Sequence, residues 1–398
     1  MKSSESSIVR SNIWKLYAIQ ALTQALFAIP IIVLFWRSHG LNLQQILLLQ
    51  AAFAATILFL EIPTGYIADR WGRKQTIVAG CFFGFLAYFV YATSTNFWQF
   101  FLAEIIIGIG ASLLSGSMEA VTYDTLLELG EEKTYRRVAG NQSFWEFNTE
   151  AVSSLIGAAL ATISVALPMW VTILPMGAAL MISFSLHEPK SHRPRTDYRF
   201  RAVWNVSTNT LVHHRGLRSI ILLHGVLSAM TLTFFWFFQS YQTLVGLPVW
   251  LFGITHATTV FAGAYAARTA SRLEKQVDDR LLLIGIAIVV VGSFLALGLS
   301  PTVWLLGAFL VSRIAWGALG PVTADMVNRM TTSDVRATVL SLRSLFGRFI
   351  FVCTSPFVGG LADARSISVA LPVAGAIGAC VLLIIFLSIR SVWKEIPA

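Results

Sequence analysis

Charge is scarce in this chain. Asp, Glu, Lys and Arg make up 12% of its 398 residues, against 56% that are hydrophobic. That is about half the charged share usual for a soluble domain, too little for most of the surface to meet water. Cysteine is scarcer still: Cys81, Cys353 and Cys380 stand far apart in apolar stretches. They show no C-x-x-C or Cys/His spacing, so neither a disulfide framework nor a metal site is expected. The G-x-x-x-x-G-K-[ST] loop is missing, which argues against ATP-driven work, and so are G-x-S-x-G and H-E-x-x-H. The polar segments are too short to house another catalytic set. No enzyme activity, cofactor or metal is expected. The net charge of +9 would suit nucleic acid, but the basic residues lie in short clusters and build no basic face on a soluble domain.

Long apolar runs are what the chain has in abundance. Crossing about 30 Å of hydrocarbon takes ~20 residues of helix. Segments of that kind fall at 12–36, 43–68, 74–94, 97–125, 137–162 and 165–186, and again at 218–243, 249–270, 280–299, 302–328, 335–361 and 367–389. The expectation is an all-α integral membrane protein with twelve transmembrane helices in two six-helix halves, 1–186 and 218–398. The polar, arginine-rich stretch 187–217 is the linker between them, with a short surface helix expected from Phe200 to Leu211. The first run, 12–36, is too long for a signal-peptide core and lacks a small-residue cleavage pattern, so it reads as a retained span.

Cytoplasmic loops hold an excess of Lys and Arg. Of the 29 such residues, a cytoplasmic N-terminus leaves Arg37 and Arg365 outside and Arg313, Arg343 and Arg348 inside spans. The other 24 are cytoplasmic, and both termini are expected there. The outer loops are very short, which leaves no external domain for a protein partner and suits a bacterial inner membrane; a monomer is expected. The chemistry then has to lie within the bundle.

The second span ends in Gly65-Tyr-Ile-Ala-Asp69-Arg70-Trp-Gly72-Arg73-Lys74. A small residue at 65 would let two helices approach, Gly72 permits a tight turn, and the basic residues anchor the loop at an anionic leaflet. This stretch is similar to the G-x-x-x-D-R-x-G-R-[RK] signature of the major facilitator superfamily, and span number and central linker extend the resemblance over the whole chain. The resemblance implies two pseudo-symmetric halves and a cytoplasmic latch. In it, Asp69 caps a facing helix N-terminus, while Arg73 pairs with an acid at the end of the fourth span, where Asp124 stands. In the second half, Gly263-Ala-Tyr-Ala-Ala267-Arg268 aligns with the motif as a decayed copy lacking the acid. Glu104 and Arg313 likewise stand four residues before Gly108 and Gly317 in matching spans.

Ionisable groups inside a bilayer are costly, so they face a cavity or a partner. Glu61, Glu104, Glu119, Asp124, Glu146 and Glu150 lie in the first half. His224, His256, Arg313, Arg343 and Arg348, with Asp325 near the cytoplasmic end, lie in the second. Glu104 and Arg313 sit roughly 12 to 17 Å deep at about 1.5 Å per residue; they either face a central cavity, where they pair or bind substrate and proton in turn, or form a fixed ion pair. Glu146 and Glu150 share a helix face, so one of them holds a proton readily. Glu61 precedes Pro63 and reads as a gating residue or a packing one. Arg348 is a cavity candidate, whereas Arg343 is expected to snorkel. Gln20, Gln24, Gln239 and Gln242 are polar contacts for a cavity or for neighbouring helices.

Exporters of the superfamily often carry an arginine where Glu104 stands and a G-P-x-x-G-G element where this chain has Ser153-Ser154-Leu-Ile-Gly157-Ala; both are absent here. The expectation is a secondary transporter driven by a proton or another ion, moving a small molecule by alternating access. Proton-coupled efflux of an amphipathic or drug-like compound stands first. Proton-coupled uptake of an anionic metabolite and a non-transporting receptor or scaffold are the alternatives.

Overall fold

The computed structural model describes residues 2–189, 200–273, 276–332 and 335–389. Residues 190–199 of the expected linker lie outside the described residues. Helices dominate. In chain order they are α1 (Lys2–Thr23), α2 (Ile32–Ser38), α3 (Leu43–Trp71), α4 (Arg73–Thr93), α5 (Phe97–Glu128), α6 (Tyr135–Ala161) and α7 (Leu167–Phe184). These are followed by α8 (Phe200–His213), α9 (Arg215–Leu244), α10 (Val249–Leu273), α11 (Asp279–Ala296), α12 (Leu306–Met330), α13 (Arg336–Ala364) and α14 (Ile367–Ile389). The surface helix expected from Phe200 is present as α8.

Local chemistry sets several of these limits. Asn96 begins α5 by accepting from the backbone N–H of Trp98 and Gln99, and Asp278 begins α11 by accepting from that of Arg280, as N-cap residues do. Gly72 takes φ +99° between α3 and α4, a conformation in which a side chain would be strained.

The first expected span is not one helix. α1 stops at Thr23, and the chain resumes with a short 3-10 turn at Ile29–Ile31 before α2. Pro30 has no N–H to give to a carbonyl four residues back, and its ring crowds that carbonyl. The Thr23 hydroxyl also bonds the carbonyls of Ile19 and Gln20, competing with the ladder.

Among the described residues, nine helical stretches are long and apolar enough to cross a membrane. The expected spans at 12–36, 137–162 and 249–270 fall outside that set, so the count of twelve rests on length and apolarity for nine of them. The exceptions have a physical reason: α1 ends at Thr23 and carries Arg10, Asn12 and Lys15 in its polar first part, while Glu146 and Glu150 in α6 and His256 in α10 dilute the hydropathy of those helices.

The chain folds as two compact units. One takes Met1–Leu41, Ala55–Asp197 and Val249–Ala257; the other takes Asn42–Ala54, Tyr198–Pro248 and Thr258–Ala398. Each unit thus includes a short piece from the opposite sequence half. In the first, Leu16, Ile19, Ile77, Cys81, Val121 and Ala179 form a buried core. In the second, Phe234, Phe238 and Phe309 anchor a larger one, with the Phe234 and Phe309 rings stacked 4.3 Å apart. Cys81 is buried and Cys353 and Cys380 are exposed, all three as free thiols.

Candidate functional site

The turn from α3 to α4 brings the motif residues into one ionic cluster. Arg73, at the start of α4, is ion-paired with Asp124 near the end of α5 and lies 4.0 Å from Asp69. Asp124 is buried. A cation at a helix N-terminus and an acid at a C-terminal end both oppose the helix dipoles, so this pair forms against the local field. Glu188 offsets it: one carboxylate oxygen accepts from the backbone N–H of Arg73 at 2.9 Å and the other from that of Lys74 at 2.7 Å. Arg70 donates to the Tyr66 hydroxyl at 3.1 Å. Gly65 differs from its expected role, because a Cβ there would meet nothing within 4 Å; close helix approach does not explain it.

The second unit repeats the arrangement with the charges exchanged. Asp279, at the start of α11, is ion-paired with Arg329 in the last turn of α12, and Asp325 lies 3.0 Å from the same guanidinium. Here acid and base agree with the helix dipoles.

Within the first unit, α1 and α6 build a polar cluster. Gln20 donates its amide to Glu146 at 3.1 Å, and Gln24 donates to the other carboxylate oxygen at 3.3 Å. The spacing of four that put the two glutamines on one face is what lets both reach a single carboxylate, although Gln24 lies just past the helix end. Glu150, one turn along α6, lies 3.4 Å from Nε2 of the buried His256 on α10. Two carboxylates and an imidazole are therefore strung along one side of α6.

Glu104 has different surroundings. It is buried and accepts from the Tyr91 hydroxyl at 2.5 Å. The Tyr91 ring packs in turn against Tyr88, Phe100 and Trp36, so aromatic rings surround the hydroxyl that holds this carboxylate.

Arg313 on α12 lies at a cavity of 220 Å³ walled by Phe234, Phe235, Phe238, Phe309 and Trp316. Its guanidinium stands 4.4 Å from the Trp316 ring centre and 5.6 Å from that of Phe235, a cation–π arrangement. The decayed motif copy explains how it fits. A Cβ on Gly263 would stand 3.3 Å from the Arg313 side chain, and one on Gly317 would stand 2.2 Å from the Gly263 carbonyl oxygen. The two glycines bring α10 and α12 together and leave room for the arginine.

Arg343 does not snorkel. It donates to the Gly320 carbonyl at 2.7 Å and to the Thr323 hydroxyl at 2.5 Å, and Thr323 also bonds Nδ1 of buried His224 at 2.9 Å. This threonine ties two basic groups to α12. Of the remaining candidates, Glu119 is exposed, Glu61 and Arg348 are half-buried, and Gln239 and Gln242 are buried.

Participants that escaped sequence reasoning include Glu188, Tyr91, Asp279, Arg329, Thr323 and Asp363. Asp363 carried a readable signal. Gly359-Gly-Leu-Ala-Asp363 repeats the spacing of Gly65-Tyr-Ile-Ala-Asp69, and its carboxylate caps the N-terminus of α3.

Comparison with known proteins agrees with this reading of the fold. The chain is 33% identical over 102 residues to the MFS-type transporter YxaM of Bacillus subtilis (strain 168), a match covering 26% of this chain and 25% of that protein. It is 23% identical over 318 residues to the class C tetracycline resistance protein of Escherichia coli, covering 75% and 77% of the two chains. The solved nucleoside transporter NupG superposes with a TM-score of 0.79 at 11% identity, over 95% of this chain and 99% of that one. A bacterial homologue of the human lysosomal transporter Spinster superposes at 0.77 with 14% identity, over 98% and 99%. At such identities the structural likeness speaks for the fold alone. The Major Facilitator Superfamily model matches residues 13–350; the chain is a multi-pass membrane transporter for a small molecule, not an enzyme, and belongs to that superfamily.

Proposed function

We propose that this transporter exports an amphipathic organic molecule in exchange for protons, as a monomer in a bacterial inner membrane with both termini in the cytoplasm. The observation that carries the reading is the Glu146 cluster. A carboxylate held by two carboxamides is well suited to gain and lose a proton in place. Ionised, it accepts from both amides, as observed; protonated, it donates to an amide oxygen after one glutamine turns its head group over. Glu150 shares the face of α6, and two ionised carboxylates four residues apart repel, so the pair favours holding one proton between them. His256 beside Glu150 offers a second protonatable group.

In this reading the ion pairs of Arg73 with Asp124 and of Asp279 with Arg329 brace the cytoplasmic gate, with Asp69 as its movable acid. The likeness to a tetracycline resistance protein supports the outward direction. A second reading, uptake of an anionic metabolite, draws on Arg313 in its aromatic cavity. Vesicles of the two orientations separate them. Energised everted membrane vesicles should accumulate labelled amphipathic compounds from a panel, and a protonophore should abolish the accumulation. Accumulation only in right-side-out vesicles would replace export with uptake.

A further inference from the structure

The aromatic cavity between α9 and α12 contains a hydroxyl with hydrogen-bonding capacity to spare, and we infer that it takes one uncharged aromatic ring bearing a single polar substituent, a hydroxyl or a carbonyl. The inference rests on the transport reading and deepens it by naming the class of cargo. Ser312 is the residue that carries it. Ser312 lines the cavity and is 3% exposed, and among the described residues its hydroxyl has no hydrogen-bond partner. Serine and threonine within a helix commonly donate to a carbonyl of the preceding turn. Thr231, in the same lining, does so to Leu227 and Ser228, and Thr259 also has a partner. At Ser312 a donor and its lone pairs stand unused in an apolar wall. Buried polar groups are as a rule satisfied, and a hydroxyl or carbonyl on the cargo would satisfy this one.

The wall and the volume select the rest of the molecule. Phe234, Phe235, Phe238, Phe309 and Trp316 supply most of the lining, with the Phe309 ring 4.3 Å from that of Phe234 and 4.9 Å from that of Phe238. Aromatic pairs settle into offset-stacked or edge-to-face contacts, which a saturated ring of similar volume does not gain. A dry apolar cavity of about 150 Å³ admits benzene. At 220 Å³ this one accommodates a substituted single ring and is small for a fused system of several rings.

Charge excludes the ionic classes. Arg313 is the one charged residue of the ten that line the cavity, and its positive charge repels a cation. An anion leaves water at a high cost unless a partner both pairs with it and bonds it. The Arg313 guanidinium already packs against Trp316 and Phe235 and is engaged further, whereas Ser312 offers one hydrogen bond and no charge. That is sufficient for a neutral substituent and insufficient for a carboxylate.

The test is isothermal titration calorimetry on the detergent-purified full chain, corrected with protein-free micelles, using phenol, toluene, cyclohexanol, benzoate, benzylammonium and 1-hydroxypyrene as probes. Phenol should bind ahead of cyclohexanol, benzoate and benzylammonium, and 1-hydroxypyrene should not displace it. Ser312→Ala should weaken phenol binding about threefold to tenfold, the worth of one neutral hydrogen bond, while toluene binds as tightly as before. Unchanged phenol affinity in that variant would overturn the inference. So would a preference of the native chain for cyclohexanol or a charged probe, displacement of phenol by 1-hydroxypyrene, or no binding of phenol. If Ser312→Ala fails to fold, the ranking of the probes by the native chain decides between the same outcomes. Because no gradient is involved, phenol binding with the predicted ranking but without transport would count against the exporter reading alone. Proton-driven export of a non-aromatic compound without phenol binding would count against this inference alone.

Discussion

Asp363 and Gln44 are joined through the backbone: one carboxylate oxygen of Asp363 accepts from the Gln44 N–H at 2.7 Å while the other accepts from the neighbouring Leu43 N–H at 3.0 Å. The last turn of α13 thereby caps the first turn of α3. Gly359 permits the approach, since a Cβ there would lie 2.8 Å from the Leu43 carbonyl oxygen. Two orphan donors and the positive end of a helix dipole are satisfied by one side chain.

Asp363→Asn removes the charge and turns one acceptor into a donor facing an N–H. A lost cap costs about 1 kcal/mol, so amide hydrogen exchange at residues 43 and 44 should quicken roughly fivefold. Exchange elsewhere in α3 should change little. Unaltered protection at those two amides would mean that the carboxylate does not cap the helix in the membrane.

The half-buried ion pair of Arg73 with Asp124, with side chains 18% and 11% exposed, should be worth more than an exposed one. Arg10 and Glu131 are bonded at 2.7 Å with side chains 58% and 35% exposed, and such pairs contribute about 0–1 kcal/mol. For Arg73→Gln and Asp124→Asn, a double-mutant cycle on the unfolding midpoint should give a coupling of about 1–3 kcal/mol; the same cycle on Arg10 and Glu131 should give close to none. Equal couplings would remove the distinction drawn between the two sites.

Gly317 and Gly320 lie one turn apart on α12 and should respond oppositely to alanine. At Gly317 the new methyl group would stand 2.2 Å from the Gly263 carbonyl oxygen, whereas at Gly320 nothing lies within 4 Å. Gly317→Ala should destabilise the protein by about 1–3 kcal/mol, as overpacking does. Gly320→Ala should be neutral or stabilise by up to about 1 kcal/mol through helix propensity. Thermal midpoints of the two variants measure this, and a neutral Gly317→Ala would show that α10 and α12 are not in backbone contact.

The contrast between these glycines shows what the sequence could carry. Membrane class, the turn at Gly72 and the shared face of Gln20 and Gln24 were legible because each depends on spacing along one helix or on a short motif, and the acid awaiting Arg73 was implied by the resemblance to the superfamily. Gly65 and Gly263 occupy matching motif positions, yet a Cβ at Gly65 would meet nothing within 4 Å while one at Gly263 would stand 3.3 Å from Arg313, a fact of packing between helices that no local pattern encodes. The aromatic shell around Glu104 and the threonine shared by His224 and Arg343 are likewise three-dimensional. The break at Thr23 was available from Pro30 but was outweighed by the apolar length of the run.

Proton coupling through Glu146 is the central claim, and proteoliposomes with an imposed pH gradient test it most directly. A pH indicator trapped in the lumen would record proton flux on addition of a cargo that passes the vesicle screen. The native chain should move protons opposite to cargo and accumulate it against its gradient. Glu146→Gln, a permanent mimic of the protonated acid, should retain cargo-for-cargo exchange while losing both the proton flux and the accumulation. Gradient-driven accumulation that survives in Glu146→Gln would contradict the account.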